Sequence, residues 1–370
     1  MDWSSVMKSI PIYSFFSGAG FLDLGFAFSG FNITFTNEIS KDISKVYNSG
    51  MSSCLDKEAS ITCNESIENI SASDIREMVN NKNQNQFWGV IGGPPCPDFS
   101  VGGKNKGHQG ENGKLTETFV NLICNTRPNF FVIENVKGLV KTKKHKEFFD
   151  RMIDLLEANG YAVDFKVLNS LDLGVPQDRE RIFILGVTKT IYKKIFKIEF
   201  SGERGWFYWP YYEKYDNAKY KYDWPTTNEF GIDIEKPSSI PQELMAGTYL
   251  LDKELENIPN SNEFFNPKSP KFSFIEEGDD KRKSFKRLHR WRYSPTIAYG
   301  NNEVHLHPTL ERRLSVREAL RLQTVPDNYV ISEDISLTVK FKAIGNGVPV
   351  KMSSLLASNL SYFLKQYLYS

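Results

Sequence analysis

Ile12-Tyr13-Ser14-Phe15-Phe16-Ser17-Gly18-Ala19-Gly20-Phe21-Leu22-Asp23-Leu24-Gly25-Phe26 reads as a buried strand, a glycine turn and the start of a helix. The apolar run Ile12–Phe16 is too short for a helix and is β-rich. Gly18 and Gly20 supply the backbone freedom that a tight turn needs and let a ligand approach the chain. From Leu22 to Phe28 the period changes to that of a helix, so backbone N–H groups at its start face the turn. A second strand follows at Asn32–Thr36 and a helix near Lys41–Tyr47. Further strands are expected at Phe87–Ile91, Phe130–Ile133, Ala162–Val167 and Arg181–Val187, with helices at Leu115–Cys124 and Lys146–Leu156. This alternation predicts an α/β fold with a mostly parallel, doubly wound sheet and ligands at the carboxyl ends of its strands.

The alternation stops near residue 190. Residues 206–224 carry ten aromatic side chains interleaved with lysines, and prolines recur from Pro225 to Pro270. The stretch closes on the basic run Lys281, Arg282, Lys283, Lys286, Arg287, Arg290 and Arg292. Regular structure resumes with a helix at Val316–Leu322 and a last one over roughly Lys351–Leu364. Three regions result: the α/β alternation over 1–190, an irregular stretch over 191–294, and 295–370, where regular structure resumes.

The chain has 370 residues, of which 46 are Lys or Arg and 45 are Asp or Glu, so a polyanionic partner must be met by local patches rather than by net charge. No apolar run is long enough to cross a membrane, and Met1–Lys8 lacks a signal-peptide core. Cys54, Cys63, Cys96 and Cys124 form no C-x-x-C pair, which disfavours a zinc ribbon or a disulfide scaffold. His305 and His307 stand beside Pro308 without further Cys or His partners, so no metal site is expected.

Gly92-Gly93-Pro94-Pro95-Cys96-Pro97-Asp98-Phe99 follows the Phe87–Ile91 strand. Two prolines end the strand and stiffen the turn. Cys96 is then either a positioned nucleophile or a cysteine beside a structural turn. Glu134 ends another strand, where a buried carboxylate must be paired or used. Arg179 and Arg181 lie two apart on an extended segment and can face one pocket, or belong to a solvated charge cluster. Glu38 ends the second strand, where a carboxylate can bond ribose hydroxyls. The glycine turn and Glu38 are then either the site of a nucleoside-containing cofactor or a tight turn with a surface glutamate.

Taken in order, Phe16–Gly20, Pro94-Pro95-Cys96, Glu134-Asn135-Val136, Gln177–Arg181, Arg312–Gln323 and Gly345-Asn346-Gly347-Val348-Pro349 resemble the DNA (cytosine-5)-methyltransferase family of bacterial restriction-modification type. The resemblance covers 11–190 and 295–360, and it implies a catalytic and cofactor-binding domain over 1–190, a target-recognition domain over 191–294 and a return segment over 295–370 whose last helix packs back on the first domain. It implies S-adenosylmethionine as cofactor and S-adenosylhomocysteine as product. The cofactor would be held by Phe16, Ser17, Gly18, Ala19, Gly20, Phe21, Leu22, Glu38, Ser66, Ile67, Pro94, Leu115, Asn346 and Gly347. It implies that Cys96 adds to C6 of a flipped-out cytosine, that Glu134 holds N3 and the exocyclic amine, and that Arg181, supported by Arg179, bonds O2. Double-stranded DNA is the implied partner, met by Ser100, Lys104, Lys281, Arg282, Lys283, Lys286, Arg287, Arg290 and Arg292. The stretch Val101–Gly113 would close over DNA, and a restriction endonuclease would be the functional counterpart in a bacterial cytoplasm. An RNA cytosine methyltransferase and a catalytically dead DNA-binding relative remain as alternatives.

Three departures stand out. Pro97-Asp98 occupies the place of the more usual Gln-Gly or Gln-Ala. Ser66-Ile67 falls where an acidic residue is common. Thr324-Val325-Pro326 replaces Gly-Phe-Pro.

Overall fold

The computed structural model describes residues 10–82, 87–95, 111–282, 284–297 and 305–369. Its central sheet contains β1 (Pro11–Phe15), β2 (Asn32–Asn37), β3 (Gly89–Gly92), β4 (Phe130–Val136), β5 (Tyr161–Asn169) and, beyond the two-residue β6 (Gln177–Asp178), β7 (Glu180–Thr188). The strand order is β2-β1-β3-β4-β7-β5. β1 pairs in parallel with both β2 and β3, and β3 with β4. β7 is antiparallel to both β4 and β5. The sheet is mostly parallel, as expected, but one reversed strand is wedged in. Apolar content could not reveal that reversal, because direction is set by how β7 returns from β5 and not by its composition.

Side chains alternate across this sheet. Tyr13, Phe15, Val90, Phe131 and Ile184 enter one apolar layer with Phe119, Ile123, Phe148 and Met152. Those partners come from α4 (Glu111–Thr126) and α5 (Lys143–Ala158), after α1 (Phe21–Phe28), α2 (Lys41–Leu55) and α3 (Ala72–Lys82) earlier in the chain. Ile12, Ile91, Phe130, Val132, Phe183 and Leu185 enter the opposite layer with Leu22 and Phe26 of α1. α6 (Lys189–Phe196) borders that second layer through Ile191 and Tyr192. Covering both faces is what allows near-continuous apolar strands.

The chain's end completes the second layer. After α7 (Val316–Leu322) and α8 (Leu337–Asn346), α9 (Val350–Leu368) inserts Met352, Leu356, Leu360 and Phe363 beside α1. Ser353 Oγ donates to the Phe21 carbonyl at 2.9 Å. A Cβ on Gly25 would lie 2.1 Å from Ser353 Oγ, so the two helices meet where glycine removes the side chain. α7 begins as its sequence suggests: Ser315 and Glu318 form a capping box, and Arg312 clamps Glu318 with bonds of 2.8 and 2.7 Å.

Of the helices named so far, α3, α6 and α8 went unread. α3 offers only Ile75, Met78 and Val79 as apolar residues, and only the first and last are buried. In α8, Leu337, Val339, Phe341 and Ala343 alternate with polar residues, a strand-like period that the helix overrides. Its Ser336 cap and the burial of Phe341, Ala343 and Ile344 decide the matter.

Thr324 adopts φ 54°, a left-handed conformation that is costly for a β-branched residue. The threonine compensates: its Oγ1 accepts from Lys351 N at 2.9 Å in the first turn of α9 and donates to the Gln323 carbonyl at 2.7 Å. Thr324→Ala keeps the strain and loses those bonds, whereas Thr324→Gly loses the bonds and the strain together. Urea unfolding should therefore find the glycine variant more stable than the alanine variant by about 1 kcal/mol. Equal stability of the two would remove the strain from this account.

Between α6 and α7 the described chain is irregular, held by two-residue strands β8 (Lys286–Arg287), β9 (Ser294–Pro295) and β10 (His305–Leu306). The aromatic stretch divides. Trp206 and Phe207 are buried against Tyr192 and Phe363, inside the second apolar layer of the central sheet. Tyr208, Tyr211, Tyr212 and Tyr220 remain exposed.

Candidate active site

The carboxyl ends of β1, β3 and β4 open on one rim of the sheet, and each candidate motif begins there. At the end of β1, Phe16, Gly18 and Gly20 take φ values of 54°, 56° and 78°. A left-handed phenylalanine is strained, and such residues gather where a backbone is shaped for a ligand. The turn is braced from both sides. Glu38 Oε2 accepts from Gly18 N at 3.1 Å and its Oε1 from Ser40 N at 2.8 Å. A Cβ on Gly20 would come within 2.7 Å of the Tyr47 ring and 2.8 Å of Met51 Sδ, so only glycine lets the turn lie against α2.

Phe16 is half-buried and edge-on to Phe119, with ring centroids 5.7 Å apart. Ile67 is buried in the same apolar layer, and Phe16 and Leu115 pack on it. Ser66 is half-buried and caps a short turn through a bond from Glu68 N at 3.3 Å. Pro94 is buried, and Ala19 is buried beneath the turn, where its carbonyl accepts from Tyr329 Oη at 2.7 Å. Ser17 Oγ donates back to Ser14 Oγ at 3.1 Å. A glycine cradle, a carboxylate and an apolar floor thus converge, a donor set that fits a nucleoside with a charged tail.

Two of the expected cofactor side chains turn away. Phe21 and Leu22 point into apolar layers and can meet a ligand only through their backbone. Asn346 is exposed at the end of α8, with its φ outside the left-handed region. Gly347 passes directly over Phe21: a Cβ there would be 2.2 Å from the ring.

Asp23 was quoted in the motif without a role. It is fully buried, accepting from Ser14 Oγ at 2.6 Å and from Tyr47 Oη at 3.0 Å. It thereby ties β1, α1 and α2 beneath the turn. Burial pushes its carboxyl up to about 6, outweighing the two hydroxyls, which favour the ionised form. Because the folded value lies above the unfolded one, the stability contributed by the neutral carboxyl is present below the unfolded value. It is lost as pH rises to about 6. Asp23→Asn removes that dependence. Its unfolding free energy relative to wild type should improve by on the order of 3 kcal/mol between about pH 4 and about pH 7. A pH-independent difference would discard the shifted carboxyl.

At the end of β4, Glu134 Oε1 meets Arg181 Nε at 3.0 Å. The register explains the meeting. Arg181 lies opposite Val136 and Phe183 opposite Glu134, so Arg181 and Glu134 are diagonal neighbours on one face. Both side chains are largely buried. Burial pushes Glu134 upward, and Arg181 and then Arg179 only partly offset it. A Cβ on Gly93 would be 2.9 Å from Glu134 Oε2, so the chain leaving β3 passes beside this carboxylate three residues before Cys96. Only the absence of a side chain at Gly93 lets the chain pass this close to Glu134.

Arg179 is buried, and its two terminal nitrogens donate to the Ile297 carbonyl at 3.0 Å and the Gly345 carbonyl at 3.1 Å. It anchors the return segment and the end of α8, while its charge acts on Glu134 behind that of Arg181. Gln177, equally buried, donates to Gln323 Oε1 at 3.2 Å and accepts from Ile297 N at 3.1 Å.

Cys96, Ser100, Lys104 and Lys283 lie outside the described residues, as does most of the expected Val101–Gly113 loop; α4 already begins at Glu111. Burial pushes the thiols of Cys54 and Cys124 up to about 11, which leaves them poor nucleophiles at neutral pH.

The basic run also needs correction. Arg287 is fully buried, donating to the carbonyls of Ile275 at 2.7 Å, His307 at 2.6 Å, Leu310 at 3.0 Å and also Phe272. Arg290 is buried and forks onto Glu277 with bonds of 2.9 and 2.7 Å. Arg292 pairs with Asp280 at 2.8 Å. Arg287 and Arg290 organise the irregular region from within and are not surface contacts for phosphate, whereas Arg292 is half-buried and already paired. Lys281 and Arg282 are exposed, Arg282 beside Asp279, and Lys286 is half-buried. His305 and His307 are buried, and no cluster of three metal-ligating side chains forms among the described residues.

The family described as C-5 cytosine-specific DNA methylase matches residues 10–361. The Type II methyltransferase M.NmeDI of Neisseria meningitidis serogroup C is 44% identical over 369 residues, covering 98% of this chain and 84% of that protein. The Type II methyltransferase M.MthTI of Methanothermobacter thermautotrophicus is 30% identical over 379 residues, covering 95% and 97%. The S. pombe Dnmt2 methyltransferase structure superposes with a TM-score of 0.60 at 14% identity, covering 96% of this chain and 98% of that one, a likeness of fold.

Proposed function

The chain belongs to the C-5 cytosine-specific DNA methylase family and is an S-adenosylmethionine-dependent DNA cytosine-5 methyltransferase, and from that premise we propose how its residues divide the work. The observation that carries the reading is the buried Glu134–Arg181 pair at the rim, with Gly93 against the carboxylate and the glycine cradle beside it. S-adenosylmethionine supplies the methyl group when bound. Phe16, Ile67 and Leu115 form the apolar wall for its adenine, Glu38 faces its ribose, and the backbone of 17–20 and 346–347 borders the rest.

A cytosine within a duplex hides C6, so it must be rotated out of the stack before reaction. The Cys96 thiolate then adds to C6, and the electron pair displaced onto C5 makes that carbon the methyl acceptor. Glu134, which burial favours in its neutral form, donates to N3 and accepts from the exocyclic amine as the ring becomes enamine-like. Arg181 bonds O2 while holding Glu134 in place. Loss of the C5 proton to a base restores the double bond and expels the Cys96 sulfur. Residues 191–294 are assigned to target recognition. The last helices complete the cofactor domain.

We also propose a paired restriction endonuclease and a cytoplasmic, nucleoid-associated protein. The kind of relatives found supports both. Among the described residues, no helix is long and apolar enough to cross a membrane. Bisulfite sequencing of DNA from cells with and without the protein tests the reading. One recurrent sequence context should become protected at a single cytosine. Unmodified DNA alongside methyl-labelled RNA would overturn the substrate.

A further inference from the structure

Residues 137–146 contain five lysines and no carboxylate. They follow Glu134 directly, crossing the rim from the end of β4 to the start of α5. We propose that Lys141, Lys143 and Lys146 form a phosphate-binding collar that grips the DNA backbone beside the reacting cytosine, an inference that rests on the DNA substrate assigned above.

The collar is rigid. Leu139 is fully buried and pins the short turn at 137–140 to the sheet. His145 is buried, and its Nδ1 lies 3.1 Å from the Gly138 carbonyl. Thr142 caps α5 by accepting from His145 N at 3.3 Å. The backbone that carries the lysines is therefore fixed at three points before any ligand arrives. Lys137 is already committed to Glu180 at 2.6 Å, next to Arg181. Lys141, Lys143 and Lys146 are exposed, and no carboxylate among the described residues pairs with them. Glu147 and Asp150 lie further along α5, beyond its first turn, which has no acidic residue.

With a net charge of only +1, the protein has no general attraction for a polyanion, so a clustered patch must supply it. The patch adjoins the carboxylate that reads the base. Arg287 and Arg290 are buried and Arg292 is held by Asp280, which leaves the rim lysines better placed for phosphate than these three. Lysine contacts to phosphate carry no sequence information, so this collar would set affinity and register, not target choice.

The test compares K141A/K143A/K146A with wild type in duplex binding across a salt series, using a cognate oligonucleotide and a scrambled one. Each lost phosphate contact lowers the slope of log K against log salt by about 0.9. The triple variant should lose about two to three units of slope, with equal weakening on both duplexes. K193A/K194A/K197A, the same charge change on α6 at the opposite rim, should keep the wild-type slope. K141E, at an exposed turn position outside α5, should weaken both duplexes as well, which separates the effect from helix stability. An unchanged slope in the collar variant, or an equal loss in the α6 control, overturns the collar while leaving the methyltransferase intact. A wild-type protein that binds and methylates no duplex would instead overturn the reading on which it rests.

Discussion

Cys96→Ala is expected to abolish methyl transfer, with a fall on the order of 10⁴-fold or more, while S-adenosylmethionine binding and duplex affinity survive. The nucleophile acts only once C6 is presented. Without the sulfur adduct, C5 has no electron pair with which to take the methyl group, and the thiols of Cys54 and Cys124 cannot replace it. Cys54 and Cys124 are buried, their thiols pushed up to about 11. Oligonucleotides carrying 5-fluorocytosine provide the complementary measurement. Fluorine cannot leave as the C5 proton does, so wild-type enzyme should remain covalently joined to the strand at Cys96, and the alanine variant should not. Residual activity in Cys96→Ala above about one-hundredth of wild type, or an adduct mapped by mass spectrometry to another residue, would remove Cys96 from the mechanism.

Glu134→Gln is expected to lower kcat by roughly 10²- to 10⁴-fold, the span for loss of a general acid. The amide keeps the shape and can still accept from Arg181, so folding should be preserved. Glu134→Ala differs, because it removes the carboxylate partner of the Arg181 guanidinium, which keeps its bond to the Glu180 carbonyl at 2.8 Å, at a cost of about 1–3 kcal/mol. Removing both partners as Glu134→Ala/Arg181→Met should recover part of that stability and none of the activity. This contrast separates the chemical contribution of the carboxylate from its structural one. The pH profile adds a sign. Burial already raises Glu134, and Arg181 restrains the rise. Arg181→Met should move the alkaline limb of kcat to higher pH, because the carboxyl then holds its proton longer. A limb that stays in place, or Glu134→Gln with full activity, would show that Glu134 does not donate a proton.

The sequence alone determined the α/β alternation, the strand ends that bear Gly18, Cys96, Glu134 and Arg181, and through their order the family. Those features are local. Apolar runs, proline pairs and glycine turns impose their conformation within a few residues, and chemistry that needs a specific side chain leaves it at a fixed place in the run. Residues 11–190 were accordingly legible almost strand by strand.

What the tertiary structure decided is the partner of each charged side chain. Arg181 and Arg179 look alike in the sequence. Strand register brings the first to Glu134, while the second is consumed by the carbonyls of Ile297 and Gly345, more than a hundred residues away. Arg287 and Arg290 read as a surface for phosphate, yet they are satisfied by Ile275, His307 and Glu277 in the interior. Lysines 141, 143 and 146 became candidates only because the end of β4 sets them on the same rim as the carboxylate. β7 reversed direction, and α8 formed against a strand-like pattern, for the same reason. Burial and pairing energies depend on contacts between distant segments, and one-dimensional spacing carries no record of which segments meet.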